Sequence, residues 1–305
     1  MAAQPIRIAF QGQKGAYSEG AVEELFSTDP TLRSSNFETC GYPSFADVFD
    51  AVQSEAVTYG VVPIENSSTG TFHYNYDLLH QYSVYIVGEY CYHEKHCLVG
   101  VPGASLETIT EIKSHPYAID QCRRFISKLQ QRVAVSQEMD TAGSAAWVAS
   151  SGSLHSAAIA SARAAAIYGL EVITEGIEDD DNTIMRYVVI ARASVIPERH
   201  MDPRTSISIV LKNQCGAIFK TLSCFALRDI NICKVESRPS TRSIKLAKPW
   251  EYVLYIDFDG STADEKVIKA LKNIEEFALS IRILGSYPRY QPPPEARNPL
   301  YGIGM

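Results

Sequence analysis

The sequence predicts an α/β protein followed by a smaller βαββαβ domain, and three observations predict it. Up to residue 191, short apolar runs that read as strands alternate with amphipathic runs that read as helices, the order that builds α/β sheets. Beyond "SVIPERHMDPR" the order becomes strand, helix, strand, strand, helix, strand, the ferredoxin-like arrangement. With 305 residues, 46% of them hydrophobic and 21% charged, the chain is long and apolar enough for one large or two ordinary domains.

The elements follow in order. "IRIAFQG" alternates and stops at a glycine, so it reads as a strand, and "SEGAVEELFS" follows as a helix with Ser18 as its expected N-cap. "SFADVFDAVQSEAV" has helical periodicity, "YGVVPIEN" is a short buried strand, and "GTFHYNYDLLHQY" opens another helix. "SVYIVGEYCYHEKHCLVGV" reads as one or two strands, "ITEIKSH" as a strand, and "YAIDQCRRFISKLQ" as one helix after His115-Pro116. "TAGSAAWVASS" is a small-residue helix, "SAAIAS" a strand, "ARAAAIYG" a helix ending at Gly169, and "MRYVVIAR" a strand. "SVIPERHMDPR", with two prolines and mixed charge, reads as a linker. The second domain is "TSISIVLK", "GAIFKTLSCFALRDI", "NICKVESRP", "WEYVLYIDFDG", "ADEKVIKALKNIEEFAL" and "SIRILGSYP", and the proline-rich tail after it reads as disordered.

The net charge is −7 and no basic stripe is visible, which argues against a nucleic-acid partner. No apolar run approaches the ~20 residues a membrane helix needs. Seven scattered cysteines without a CxxC pair argue against structural zinc and a disulfide framework and for free thiols in a reducing compartment. "HEKH" at 93–96 has i, i+3 histidines but no further carboxylate partner in view, so it is not read as a metal site. His115, before a proline, reads as a turn residue.

Four stretches carry chemistry. In "VPIENSSTGTF", Glu65 to Gly70 form a polar cluster at a strand end, where open α/β sheets bind ligands. Ser18, and Thr141-Ala142-Gly143, stand at helix starts whose N–H groups suit an anion. In "EDDDNTIMRYVVI", Arg186 lies inside an apolar strand, where an arginine needs a partner, and it reads as an anion hook.

"GQKGAYSEGA", "VPIENSSTGT", "SHPYAIDQC", "DTAGSAA", "AAIAS" and Arg186-Tyr187 resemble, in this order, the motifs of prephenate dehydratases, whose plant-type relatives act on arogenate. "GAIFKTLSCFALRDIN" and "ESRP" look like the phenylalanine-binding ACT regulatory domain of that family. The resemblance covers about residues 6 to 289. It implies a catalytic region of two α/β lobes, similar to a periplasmic binding protein, over 1–194. A linker at 195–203, an ACT domain at 204–289 and a tail at 290–305 complete the expected layout. The implied reaction expels carbon dioxide and hydroxide from prephenate or arogenate, giving phenylpyruvate or phenylalanine, with no cofactor and no metal. Implied substrate contacts are Ser18, Asn66, Ser67, Gly70, Gln121, Thr141, Ala142, Gly143 and Ser161. Implied effector contacts are Gly216, Ala217, Asn231, Glu236, Ser237, Arg238 and Pro239. Family members form dimers or tetramers through their ACT domains. The expected location is the cytoplasm, or the plastid stroma if a transit peptide has been removed.

One departure stands out. The family pattern is Asn-x-Thr-Arg-Phe, with the threonine hydroxyl as proton donor to the leaving group. Aligned on Arg186, the donor position holds Met185, and a thioether donates no proton. Thr183, through a bulge, and Tyr187, which carries a hydroxyl where the family has phenylalanine, are the candidate substitutes, so the catalytic set is Thr183, Arg186 and Tyr187. Ala16 stands where the family has threonine, and Cys215 precedes Gly216 where proline is common. A decarboxylase that keeps the hydroxyl, and a phenylalanine sensor without catalysis, are the competing readings.

Overall fold

The structure is a computed structural model describing residues 4–129, 133–239 and 251–291. In chain order the elements are β1 (Ile6–Gln11), α1 (Tyr17–Thr28), β2 (Phe37–Tyr42), α2 (Phe45–Gln53), β3 (Tyr59–Asn66), β4 (Gly70–Thr71), α3 (His73–Gln81), β5 (Tyr85–His93), β6 (Cys97–Gly100) and β7 (Glu111–Ser114). Next come α4 (Pro116–Gln121), α5 (Arg123–Lys128), β8 (Ala134–Gln137), α6 (Thr141–Ser151), β9 (Ser156–Ala160), α7 (Ala162–Tyr168), β10 (Glu171–Glu175) and β11 (Ile184–Ala191). The last are β12 (Pro203–Leu211), α8 (Ala217–Ala226), β13 (Ile232–Pro239), β14 (Tyr252–Asp259), α9 (Glu265–Glu275) and β15 (Ala278–Pro288). The expected α/β class with a ferredoxin-like second domain is the observed one. The expected disordered tail lies, beyond Gln291, outside the described residues, and no described helix is long and apolar enough to cross a membrane.

Two compact units emerge, Met1–Thr71 with Tyr92–Tyr187, and Phe72–Cys91 with Val188–Met305. In the first, β1 runs parallel between β2 and β3, and β4 folds back antiparallel on β3. A second sheet has the order β10-β6-β9-β7-β8. Its central strand "SAAIA" is buried on both faces. Ala158 and Ala160 pack with Ala145 and Val148 of α6 and Ala164 and Ala165 of α7. Ala157 and Ile159 pack with Ala118 and Cys122. Small side chains there let helices approach both sides of the strand.

In the second unit β12–β15 form an antiparallel sheet of order β13-β14-β12-β15. Ile207, Ile209, Leu254, Ile256 and Phe258 pack with Phe225, Val267 and Ile274 of α8 and α9. The intervening residues meet α3: Tyr76 lies against Tyr255 at 5.0 Å between ring centroids, and His80 Nδ1 pairs with Ser208 Oγ at 2.8 Å. Arg282 donates to the carbonyls of His80, Tyr82 and Val84, satisfying groups that the end of α3 leaves open. Gly285 lies against the Ile86 backbone, where a Cβ would collide with the carbonyl.

Several expectations need correction. The N-cap of α1 is Ala16, with no side-chain bond, and Ser18 lies inside the first turn. Glu19 does the capping work instead, its Oε2 accepting the Gly15 N–H at 2.6 Å. "YAIDQCRRFISKLQ" is two helices, broken at Cys122 (φ −115°, ψ 20°). Asp179 explains the break: its N–H donates to the Gln121 carbonyl at 2.6 Å and its carboxylate accepts the Arg124 N–H at 2.9 Å. Strands β2, β8 and β10 were not anticipated; β2 and β8 are half-exposed and β10 is polar at both ends, so they lack an apolar alternation.

Candidate active site

Two sequence-distant motifs meet where β3 ends and β11 begins. Ser67 N–H donates to the Ile184 carbonyl at 2.9 Å, and the Ile184 N–H donates to Ser67 Oγ at 2.9 Å. The Asn66 side chain is 1% exposed, and its Oδ1 accepts the N–H groups of Ser68 and Thr69 at 2.9 and 3.0 Å, which sets the turn. Its Nδ2 has no partner among the described residues, an arrangement that costs free energy unless a ligand oxygen completes it. Gly70, at φ +87°, closes the turn onto β4 with a backbone that side chains resist.

On β11 the side chains alternate. Arg186 is half-buried beside Glu65, with Nη1 3.5 Å from Oε2. Met185 and Tyr187 point to the buried side. Thr183 is also buried, but its hydroxyl donates to the Asp180 carbonyl at 3.0 Å in the turn before the strand. The strand begins one residue later, at Ile184.

Beneath α1 lie two buried hydrogen-bond chains. Tyr17 bonds His96 Nδ1 at 2.7 Å, and His96 Nε2 bonds Gln121 Oε1 at 2.6 Å. The Tyr17 hydroxyl also donates to the Lys95 carbonyl at 3.0 Å, and burial keeps the His96 imidazole pKa low. The Tyr187 phenol donates to Glu94 Oε1 at 3.4 Å; burial pushes the phenol pKa up, with the neighbouring Ser18 hydroxyl pulling the other way. Glu94 is 9% exposed; burial pushes its carboxyl up to about 7, against a smaller opposing pull from the Tyr187 hydrogen bond. Glu94 and His96 come from the "HEKH" stretch, and each enters a different chain. The signal available in the sequence was two polar residues flanking Lys95 at strand spacing, immediately before "CLVG".

The remaining predicted contacts have structural partners. Gln121 is buried on His96. Thr141, Ala142 and Gly143 open α6, but the Asp140 carboxylate already accepts the Gly143 N–H at 2.5 Å, so this helix start carries its own anion. Ser161 caps α7 through the Ala164 N–H at 3.0 Å and donates to the Gly15 carbonyl at 3.2 Å. His115 accepts the Tyr117 N–H at 3.2 Å, a turn role as expected.

In the second unit a cavity of about 450 Å³ is lined by Gly216, Ala217, Ile218, Phe219, Ser237, Tyr252 and Leu254, among others. Gly216 sits at φ +75° as the N-cap of α8. Of the predicted effector contacts, Gly216, Ala217 and Ser237 come together there. Strand alternation turns Glu236 and Arg238 to the other face, where Glu236 meets His73 at 3.3 Å and Arg238 meets Asp77 at 2.7 Å. Asn231 donates to Asp259 at 2.9 Å, and Pro239 ends β13 exposed.

Comparison with known proteins gives consistent matches. Residues 8–195 match the family described as prephenate dehydratase. The chain is 43% identical over 293 residues to the chloroplastic arogenate dehydratase/prephenate dehydratase 1 of Arabidopsis thaliana, covering 93% of this chain and 72% of the relative. Among solved structures, prephenate dehydratase from Arthrobacter aurescens in complex with L-Phe superposes with a TM-score of 0.81 at 27% identity, over 93% of this chain and 90% of that one. GqqA, described as a novel type of quorum quenching acylase, superposes with a TM-score of 0.78 at 30% identity, over 93% and 98%.

Proposed function

The chain belongs to the prephenate dehydratase family, and from that premise we propose that it is a carbon–oxygen lyase acting on prephenate or arogenate, with phenylalanine as effector at the ACT domain. The observation that best supports the reading is the pair of bonds between Ser67 and Ile184, which joins the polar end of β3 to the strand that carries Arg186.

The substrate is a small anion whose breakdown is driven by aromatisation. Arg186 supplies positive charge for a carboxylate, and the buried Nδ2 of Asn66 supplies a donor whose partner the substrate provides. Rate then depends on leaving the departing carboxylate poorly solvated and on delivering a proton to the leaving hydroxyl. Met185 cannot deliver it.

Purified protein incubated with prephenate, and separately with arogenate, should form an aromatic product followed by absorbance and mass, and Met185→Thr should raise the rate. Prephenate consumed without an aromatic product would instead mean decarboxylation that keeps the hydroxyl. The second reading, a phenylalanine sensor, is favoured by the combination of Met185 with the cavity at Gly216 and Ser237. Calorimetry with L-phenylalanine tests the effector site directly: no heat and no thermal shift at millimolar ligand would remove it. Because one structural relative is described as an acylase, release of a fatty acid from an acylated amine is a further arm, and turnover there alone would replace the dehydratase reading.

A further inference from the structure

We propose that helix α3 transmits effector binding in this chain: a ligand seated in the cavity beside Ser237 acts on the turn from Asn66 to Gly70 through the contacts that Glu236 and Arg238 make with His73 and Asp77. The inference rests on the effector reading of the cavity.

The alternation of β13 carries it. Ser237 turns to the cavity, and the residues on either side of it turn to α3. Arg238 Nη2 donates to Asp77 Oδ2 at 2.7 Å and its Nε to Oδ1 at 3.4 Å, a two-point grip on a buried carboxylate. Glu236 meets His73 at 3.3 Å, and the Lys234 ammonium lies over the Tyr76 ring, 5.9 Å from its centroid. Alternate residues of one strand thus engage positions 73, 76 and 77, which share one face of the helix. Ser237 pairs with Leu254 across the sheet, and Leu254 lines the cavity as well. A ligand pressing on Ser237 therefore bears on a backbone whose next side chain in either direction holds α3.

The start of α3 depends on that grip. Its N-cap, Phe72, makes no side-chain capping bond. The other end is held from β12 and β15, by Ser208 on His80 and by Arg282 on the His80 and Tyr82 carbonyls. Strand β13 thus governs the end nearer the turn. Strand β4 stops at Thr71, so Phe72 alone separates it from His73. Thr71 pairs with Glu65 and Gly70 with Asn66. Asn66 sets the turn through the Ser68 and Thr69 N–H groups, and Ser67 bonds β11 at Ile184. A shift at the start of α3 has one residue in which to be absorbed before it reaches the turn.

The test is hydrogen exchange of the full chain with and without L-phenylalanine, read at residues 66–72, with calorimetry on the same samples. In wild type, saturating L-phenylalanine should change exchange of the Ser68 and Thr69 amides on the order of 5-fold or more. In Asp77→Asn and in Glu236→Gln, L-phenylalanine should bind with a Kd within about threefold of wild type, while the change at 66–72 falls below about twofold. A merely structural role for the two contacts would leave that response in place. Asp77→Glu should restore part of it. If Asp77→Asn does not fold, Glu236→Gln, which breaks only the contact with half-exposed His73, decides the comparison. An Asp77→Asn or Glu236→Gln protein that keeps the full wild-type response overturns the route through α3 while the effector and dehydratase readings stand; phenylalanine bound directly at the turn would give this result. Wild type that binds L-phenylalanine without any change at 66–72 also overturns it. No binding by wild type overturns the effector reading, and the route with it.

Discussion

Glu89 and Glu94 are two buried carboxyl groups five positions apart in the chain, and their surroundings differ completely. Glu89, 4% exposed in the second unit, receives Arg204 Nη1 on both oxygens at 3.0 and 2.8 Å and the Tyr290 N–H at 3.1 Å. Glu94, in the first unit, has the Tyr187 phenol at 3.4 Å. Burial is common to both, so the partner decides the outcome. A guanidinium makes a buried carboxylate half of a structural ion pair, whereas a phenol leaves the carboxyl to hold its own proton.

The largest test of this contrast is Glu89→Ala. It removes the carboxylate that accepts two Arg204 bonds and the Tyr290 N–H, and should cost about 3–5 kcal/mol in urea denaturation. Replacing both members, Glu89→Leu with Arg204→Met, should cost much less, because both charges leave together. If the single variant loses under about 1 kcal/mol, the pair is behaving like a surface bridge and the contrast breaks.

Glu94→Gln should act in the opposite direction. The folded carboxyl titrates at about 7 against an ordinary 4.5, so between those values the native state binds more protons than the unfolded chain. Stability therefore falls as pH rises through that window, by up to about 3 kcal/mol once pH exceeds 7. Glutamine does not titrate. Urea midpoints at pH 5 and pH 8 should show Glu94→Gln gaining on wild type at the higher pH; an equal difference at both would mean Glu94 is not the group that titrates.

The contrast also marks what the sequence could reveal. Period and turn residues are local, so β1, β3, β11 and the βαββαβ order were legible, as were the Gly169 stop and the polar cluster from Glu65 to Gly70. Partner identity is not local. Tyr187 and Glu94 are 93 positions apart and Arg204 and Glu89 are 115, and nothing in their neighbours says which carboxylate meets the guanidinium. Alternation along β13 puts Glu236 and Arg238 on one face and Ser237 on the other; which face meets α3 and which lines the cavity is what the local pattern left open. The Cys122 break had no local signal either, since Asp179 causes it from a distant loop.

A third carboxylate extends the series to the smallest effect. Asp140 accepts the Gly143 N–H as the N-cap of α6. Its stabilisation combines one hydrogen bond with the attraction of a negative charge to the positive end of the helix. Asp140→Ala removes both and should cost about 1 kcal/mol. Asp140→Asn keeps the cap oxygen and removes the charge, so it should cost about 0.3–1 kcal/mol, shrinking further with added salt. If the two variants cost the same and salt changes neither, the charge contributes nothing and Asp140 is held by its hydrogen bond alone. If Asp140→Asn is nearly neutral while sulfate stabilises Asp140→Ala but not wild type, the freed N–H groups of Thr141 to Gly143 bind an anion only when the native carboxylate is absent. That result would remove the start of α6 from the anion-binding groups of the native protein.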